Sequence, residues 1–419
     1  MPDAGHSNRR IVSEANPAAP VVIVGAAMGG LRAAESLRRS GYTGAIRVVG
    51  DELHAPYNRP PLSKEVLATD VTHEAVAFPS RAEMGDVEWM LGVRASAVDL
   101  AARTLTTDDG NVQEWRALVI ATGLRARRLD FAPIAGRHVV RSLDDAMALR
   151  AELTVGARVV VVGSGFLGCE LSATASKLGC SVTIVTPSVE PMIRPLGDLV
   201  AKEMRRRLNA EGVEIFSGVT VAAINGGASV ESVELSDGRV IEADVVIESV
   251  GSDCNIEWLE GSGLDLSDGV LADNAMRAVT ADGRARDDVY VVGDIARFPN
   301  PMFDDVPRRI EHWNIPTDTG KRAGAVLAAH LADDGSFDDV VAKPFAPMPS
   351  FWSNQFEIKL QAYGLLGLVS DDDIRILEGD LADQVAVGYY RDDRLVGVLG
   401  VGMKAALLPY RKQIAEGGN

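Results

Sequence analysis

Val159-Val160-Val161-Val162-Gly163-Ser164-Gly165-Phe166-Leu167-Gly168 is an apolar run that breaks into a complete G-x-G-x-x-G turn. A run of four valines reads as a buried parallel strand. The residues after it, Gly168 to Leu178, read as a helix, and Val182 to Val185 as the next strand. Strand, glycine turn, helix and strand together form the dinucleotide-binding fingerprint: the glycines permit the tight turn, a close backbone approach to a pyrophosphate, and close helix–strand packing. The acid expected at the end of the following strand is missing, since Thr186 stands there. Ser188 and Glu190 are near substitutes, and Arg194 is a cation of the kind that holds a 2′-phosphate. The choice between NADH and NADPH is open; Glu190 and the lack of an adjacent arginine pair lean it to NADH.

The same pattern stands earlier in the chain. Val21 to Val24 is a strand, Gly25-Ala26-Ala27-Met28-Gly29-Gly30 the turn, Leu31 to Arg39 a helix and Ile46 to Val49 a strand. Ala27 replaces the middle glycine and adds one methyl. Asp51, with Glu52 beside it, follows at the spacing of a ribose-binding acid. Two such units imply two nucleotide-binding domains. Further buried strands are expected at Ala117 to Ala121, Val245 to Ile247 and Val289 to Val292. From about Pro344 the texture changes. Alternation in Phe356 to Leu360 and Val385 to Tyr390, with a turn at Arg391-Asp392-Asp393-Arg394, predicts a third, smaller domain with an antiparallel sheet.

A chain of 419 residues is long enough for two or three cores. Its formal net charge of -17 argues against nucleic acid or an anionic membrane as the main partner. No apolar run approaches a membrane span, and Met1 to Pro20 lacks the apolar core of a secretion signal. It reads as a flexible arm, and the expected compartment is the cytoplasm. The three cysteines, Cys169, Cys180 and Cys254, form no C-x-x-C pair, so neither a disulfide framework nor a metal site is expected.

The order of first fingerprint, Ala121-Thr122-Gly123, second fingerprint and Val289-Tyr290-Val291-Val292-Gly293-Asp294 resembles the glutathione-reductase-type flavoproteins. Three further segments are similar to the oxygenase-coupled ferredoxin reductases of the putidaredoxin-reductase-like kind. They are Arg59-Pro60-Pro61-Leu62-Ser63-Lys64, Arg309-Ile310-Glu311-His312-Trp313 and Phe351-Trp352-Ser353-Asn354-Gln355. The resemblance runs from about Val21 to about Ile414. It implies an FAD domain over 20–124 and 254–335, split by an inserted NAD(P)H domain over 125–253, with a C-terminal reductase domain over 336–419 and an arm over 1–19.

On this resemblance FAD is held by the first fingerprint (Gly25, Ala27, Met28, Gly29, Gly30) with Asp51, Arg59, Ala95 and the Ala121-Thr122-Gly123 turn. Arg141, Gly293, Asp294 and Trp313 complete that set, with Asp294 on the ribityl chain and Trp313 at the isoalloxazine. Lys64 lies beside flavin N5, paired with Glu170; both are the candidate catalytic residues. The nicotinamide nucleotide falls to Gly163, Gly165, Phe166, Leu167, Gly168, Glu170, Thr186, Glu190, Arg194 and Gly251.

No cysteine precedes Cys169, so the thiol relay of disulfide reductases and peroxidases in this superfamily has no residue to use. The acceptor implied is external: a small acidic [2Fe–2S] ferredoxin that serves a cytochrome P450 or a ring-hydroxylating oxygenase. Lys321 and Lys412 match basic docking positions, Arg125 follows the Ala-Thr-Gly turn, and Trp352 faces the acceptor. Two other readings stand beside this one: a rubredoxin or other small-acceptor reductase, and a redox-controlled binding flavoprotein of the apoptosis-inducing-factor kind. Glu248 has no sequence-level explanation; it sits in an apolar strand near the expected nicotinamide site.

Overall fold

The computed structural model describes residues 16–69, 71–79 and 81–417. Most of the expected arm therefore lies outside the described residues. A six-stranded sheet is built from both ends of the FAD-type unit. Val21–Val24 lies at its centre, parallel to Ile46–Gly50 on one side and to Ala117–Ile120 on the other. Ala285–Val291 then adds in parallel to Ala117–Ile120, although about 165 residues of chain intervene. These strands are apolar on both faces because helices cover both.

The second fingerprint builds an all-parallel five-stranded sheet, with Arg158–Val162 between Ser181–Thr186 and Val245–Glu248. The chain enters this unit through Leu124–Ala126 and leaves it through Ser252–Cys254, and the two segments pair antiparallel. Arg127 bonds Asp253 across that ribbon at 2.7 Å, and Arg125 bonds Glu257 at 2.6 Å. The C-terminal unit is a five-stranded antiparallel sheet, opening with the hairpin Ser350–Gln355 and Ile358–Gly364. Its tight turn at Asp392-Asp393 has both φ values positive, 53° and 60°. Two such residues give the twist that matches a two-residue hairpin, as the sequence predicts.

The long helix Ile315–Ala332 packs directly on Met28–Arg39, the helix of the first fingerprint. Small residues allow it. A Cβ on Gly324 would come within 2.6 Å of the Ala33 carbonyl oxygen, and one on Gly320 within 2.7 Å of that of Gly29. The late Gly293–Ile295 turn is thereby held beside the fingerprint, because buried Thr319 of that helix accepts the Gly293 N–H at 3.0 Å. No helix among the described residues is long and apolar enough to cross a membrane.

Glu248 now has a structural account. Its carboxylate is buried and accepts from the Arg137 guanidinium at 2.8 Å and from the backbone N–H of Leu129. Arg137 spends its remaining donors on the carbonyls of Leu129, Phe131 and Ala132. The pair is a fully dry staple that ties the loop after the crossing ribbon to the end of the parallel sheet. Removing one partner leaves the other charge buried and alone, which costs about 3–5 kcal/mol. Glu248→Ala is therefore expected to lower the unfolding free energy of the second-fingerprint unit, read by urea denaturation, by that amount, whereas Glu242→Ala, on an exposed pair with Arg158, changes it by less than about 1 kcal/mol.

Candidate functional site

The two fingerprint turns solve one packing problem twice. A Cβ on Gly25 would overlap the Ala121 carbonyl oxygen, and one on Gly163 would overlap that of Ser249. Both glycines also need positive φ, 122° and 107°. In each turn the last glycine, Gly30 or Gly168, sits against the carbonyl of the first. The middle position is different. A Cβ on Gly165 would meet nothing within 4 Å. The methyl of Ala27 at the corresponding place is thus compatible with the turn. The helices that follow start at Ala27 and Gly165 without a side-chain cap. Their first N–H groups are left unpaired by side chains, which is the arrangement that binds a pyrophosphate.

Both helix starts open on one cleft of about 710 Å³. It is lined by Ala27, Met28 and Gly29 from the first fingerprint and by Phe166, Leu167 and Glu170 from the second. Arg59, Lys64, Ala121, Gly123, Arg141, Gly293, Asp294, Trp313 and Trp352 line it too. Most of the expected flavin set is therefore gathered in one space, with the nicotinamide turn facing it.

The charged groups of the cleft are arranged in pairs. Lys64 Nζ lies 2.6 Å from Glu170 Oε2, and the pair is nearly buried. Ser63 donates to the same oxygen at 2.7 Å, and Ser353 to Oε1 at 2.7 Å. Arg59 bonds Glu52, which also accepts from the Tyr57 hydroxyl. Burial works against the Arg59 cation, but Glu52, Tyr57 and Asp294 together outweigh burial and hold its pKa above the usual range. Arg141 approaches Asp294 at 3.5 Å and donates to the Leu124 carbonyl at 2.9 Å. Burial raises the Asp294 carboxyl above its ordinary range, with Arg141 opposing. His312 is pushed down to about 4 by burial, and its Nδ1 has no partner. It is neutral at neutral pH.

This donor set suits FAD. The unpaired N–H groups at Met28–Gly30 fit a pyrophosphate, the Asp294 carboxylate fits ribityl hydroxyls, and Lys64 offers a fixed cation to an electron-rich ring. Several expected contacts lie elsewhere. Asp51 is just past its strand in an exposed pair with Arg94 at 3.5 Å, and Ala95 is in the core beneath. Neither lines the cleft. Thr122 is tied to Asn255, donating to its carbonyl at 2.6 Å, and Gly251 accepts the Arg127 N–H at 3.0 Å on the crossing ribbon.

At the far end of the second fingerprint, Thr186 is buried, and its hydroxyl accepts from Ser164 and from the Ser188 N–H. Glu190 is engaged by Arg205, which also bonds Ser217. Arg194 is exposed and has no carboxylate partner among the described residues. Of the expected docking residues, Arg125 is on the ribbon, Lys321 is exposed on the long helix, and Lys412 pairs loosely with Glu416 at 3.6 Å. None of the three lines the cleft. Trp352 does, edge-to-face with Trp313 at 5.3 Å, while the Trp313 indole donates to Asn58.

Sequence reasoning passed over Ser353, Tyr57 and His312 as individual site residues. The signal for Ser353 was present. Phe351, Ser353 and Gln355 alternate along a strand, while Phe166 and Glu170 are four apart on a helix. These two periods nearly match, at roughly 6.7 Å and 6 Å. Phe351 meets Phe166 at 4.7 Å and Ser353 meets Glu170.

Residues 19–320 match the model of the pyridine nucleotide-disulphide oxidoreductases, and residues 350–419 that of the reductase C-terminal family. The chain is 34% identical over 407 residues to the ferredoxin–NAD(+) reductase component of the anthranilate 1,2-dioxygenase system of Burkholderia cepacia, covering 95% of this chain and 94% of that protein. It is 33% identical over 386 residues to a ferredoxin–NAD(P)(+) reductase of a Sphingomonas species, covering 90% and 88%. Among solved structures, the covalent putidaredoxin reductase–putidaredoxin complex superposes with a TM-score of 0.86 at 28% identity, covering 96% of this chain and 94% of that chain. The chain belongs to the pyridine nucleotide-disulphide oxidoreductase family.

Proposed function

We propose that this protein is an FAD-dependent NAD(P)H:ferredoxin reductase, delivering electrons to a [2Fe–2S] ferredoxin that serves a cytochrome P450 or a ring-hydroxylating oxygenase. The observation that carries the reading is the single cleft onto which both fingerprint helices open, with the Lys64–Glu170 pair in its wall. The functions of the similar proteins named above support it. The three cysteines support it as well. Cys169 and Cys180 are buried, Cys254 is half-buried, and none lines the cleft. Burial pushes the Cys169 thiol far up, so it is inert. A thiol relay has no residue here, and the electrons must leave for an external acceptor. We place the reaction in the cytoplasm, where reduced nicotinamide is supplied.

When bound, FAD supplies the two-electron-in, one-electron-out chemistry that joins a hydride donor to a one-electron carrier. The chain's residues do the rest. The N–H groups at Met28–Gly30 hold the pyrophosphate, and Asp294 orients the ribityl chain. Lys64, fixed by Glu170, presents a cation where negative charge builds on reduction. Phe166 and Leu167 occupy the nicotinamide side of the cleft and exclude water. Trp313 and Trp352, packed edge-to-face, also line the cleft, and we assign them to the face offered to the acceptor.

Purified protein is expected to show flavin absorption that bleaches with NADH or NADPH and recovers on adding a [2Fe–2S] ferredoxin. Faster recovery with rubredoxin than with any ferredoxin would transfer the reading to a rubredoxin reductase. A reduced flavin that neither carrier reoxidises would mean the chain is a redox-controlled binding protein instead.

Asp294→Ala removes the ribityl acceptor. A hydrogen bond to a charged group is worth about 1.5–3 kcal/mol, so FAD affinity should fall roughly 10- to 100-fold, read by flavin retention on dialysis.

The nicotinamide preference follows from Glu190, whose charge is answered by Arg205, leaving Arg194 free. Glu190 therefore does not present a free acid to a 2′-phosphate. kcat/KM for NADPH is expected within about tenfold of that for NADH, and Arg194→Glu should lower the NADPH value several-fold more than the NADH value. A NADH preference above a thousandfold in the unmodified chain would contradict this.

A further inference from the structure

Ser353 is a fully buried hydroxyl on the C-terminal sheet, 183 residues from the carboxylate that it bonds. Its hydrogen-bond directions are fixed. An ionised carboxylate only accepts, so Ser353 must spend its one proton on Glu170 Oε1. It therefore accepts from Gln355 Nε2, at 3.1 Å. Gln355 is also buried; its amide nitrogen reaches the Met192 sulfur, a weak acceptor, and its Oε1 has no partner. The result is a one-way chain of donors that ends on Glu170.

On the other side of that carboxylate, Oε2 receives Lys64 and Ser63. Apart from Glu170, Lys64 reaches only the Ser63 hydroxyl at 3.0 Å and the Pro60 carbonyl at 3.4 Å among the described residues. Among the described residues, Oε1 has Ser353 alone. Losing that donor leaves a buried carboxylate oxygen unpaired, an expense the carboxylate avoids by rotating. Rotation would displace Oε2, and the ammonium would follow or let go.

We propose that Ser353 is a positioning residue, through which the C-terminal domain sets the orientation of Glu170 and hence the place of the Lys64 ammonium in the cleft. The inference rests on the cleft being the flavin–nicotinamide site. The backbone register supports it: Phe351 on Phe166 and Ser353 on Glu170 lock strand Ser350–Gln355 along helix Phe166–Lys177 at two points. The opposite face of the same strand carries Trp352, against Trp313. One strand thus sets the internal cation with one face and adds an aromatic side chain to the cleft wall with the other.

The test compares the unmodified protein, Ser353→Ala and Ser353→Thr with FAD bound. In Ser353→Ala, rapid-mixing reduction by saturating nicotinamide should have a limiting rate lowered about tenfold, with the apparent nucleotide Kd changed less than about twofold. Acylation of Lys64 by acetic anhydride, quantified by peptide mass spectrometry, should rise several-fold. Ser353→Thr keeps the hydroxyl and should restore both values. Reoxidation of the dithionite-reduced protein by ferricyanide should be the same in all three.

If the limiting rate and Lys64 acylation of Ser353→Ala match those of the unmodified protein, Ser353 does not position the pair. If Ser353→Ala fails to fold or to retain FAD, Ser353→Cys decides, since its weaker donor should give intermediate values in both measurements; unmodified values there overturn the proposal. An unmodified protein that neither nicotinamide reduces would refute the proposed function, while the Lys64 acylation pattern still decides the positioning role.

Discussion

The carboxylate of Glu170 is the point on which three parts of this protein converge. Glu170 belongs to the helix of the second fingerprint, Lys64 and Ser63 to the FAD-type unit, and Ser353 to the C-terminal sheet. A buried carboxylate tolerates its environment only when its oxygens are satisfied and its charge is answered. Here that demand cannot be met within any one unit. The need to satisfy one anion therefore specifies how the parts meet around the cleft. Thr174, one turn further along the same helix, adds a fourth tie by donating to the Ser63 carbonyl at 2.7 Å.

That helix explains why the fold was largely legible in the sequence while the site was legible only in part. Strands such as Val159 to Val162 and turns such as Gly163 to Gly168 are local: the apolar run, the glycine spacing and the helix start lie within a dozen residues. Their structural reasons are local only in part: Gly30 and Gly168 face the carbonyls of Gly25 and Gly163 in the same turn, whereas Gly25 and Gly163 face the carbonyls of Ala121 and Ser249, far away in sequence. Ala27 looked like a departure and is compatible with its turn because the middle position of a fingerprint faces open space. Glu248 looked anomalous for the opposite reason. Its partner, Arg137, is more than a hundred residues away, and no local pattern connects them.

The nicotinamide end shows the same division. Thr186 for an acid was visible at once, and so were Glu190 and Arg194 as neighbours. What the sequence could not show is that Arg205, on the following helix, reaches back to Glu190 and to Ser217. A carboxylate free to bind a ribose and one already held by a guanidinium have the same letter in a sequence. Only packing separates them, and the separation changes the predicted nucleotide preference.

The charge of the cleft obeys a related constraint. Lys64 faces Glu170, Arg59 faces Glu52, and Arg141 faces Asp294. Each of these cations has its own anion, so the cleft carries little net charge even though the whole chain is at -17. Under the proposed function, a dinucleotide pyrophosphate would then be met mainly by backbone N–H groups at two helix starts, not by surplus cations. Backbone donors are fixed by the fold and need no reorganisation when the ligand arrives, whereas a free lysine or arginine would have to be ordered at an entropic cost. The Lys64–Glu170 pair is left for a different task, which under the proposed function is holding a fixed charge beside the part of the cofactor whose own charge changes. That division of labour requires every pair to stay in register, and for Lys64 and Glu170 the register is set from outside both nucleotide-binding units, by a hydroxyl on the C-terminal sheet.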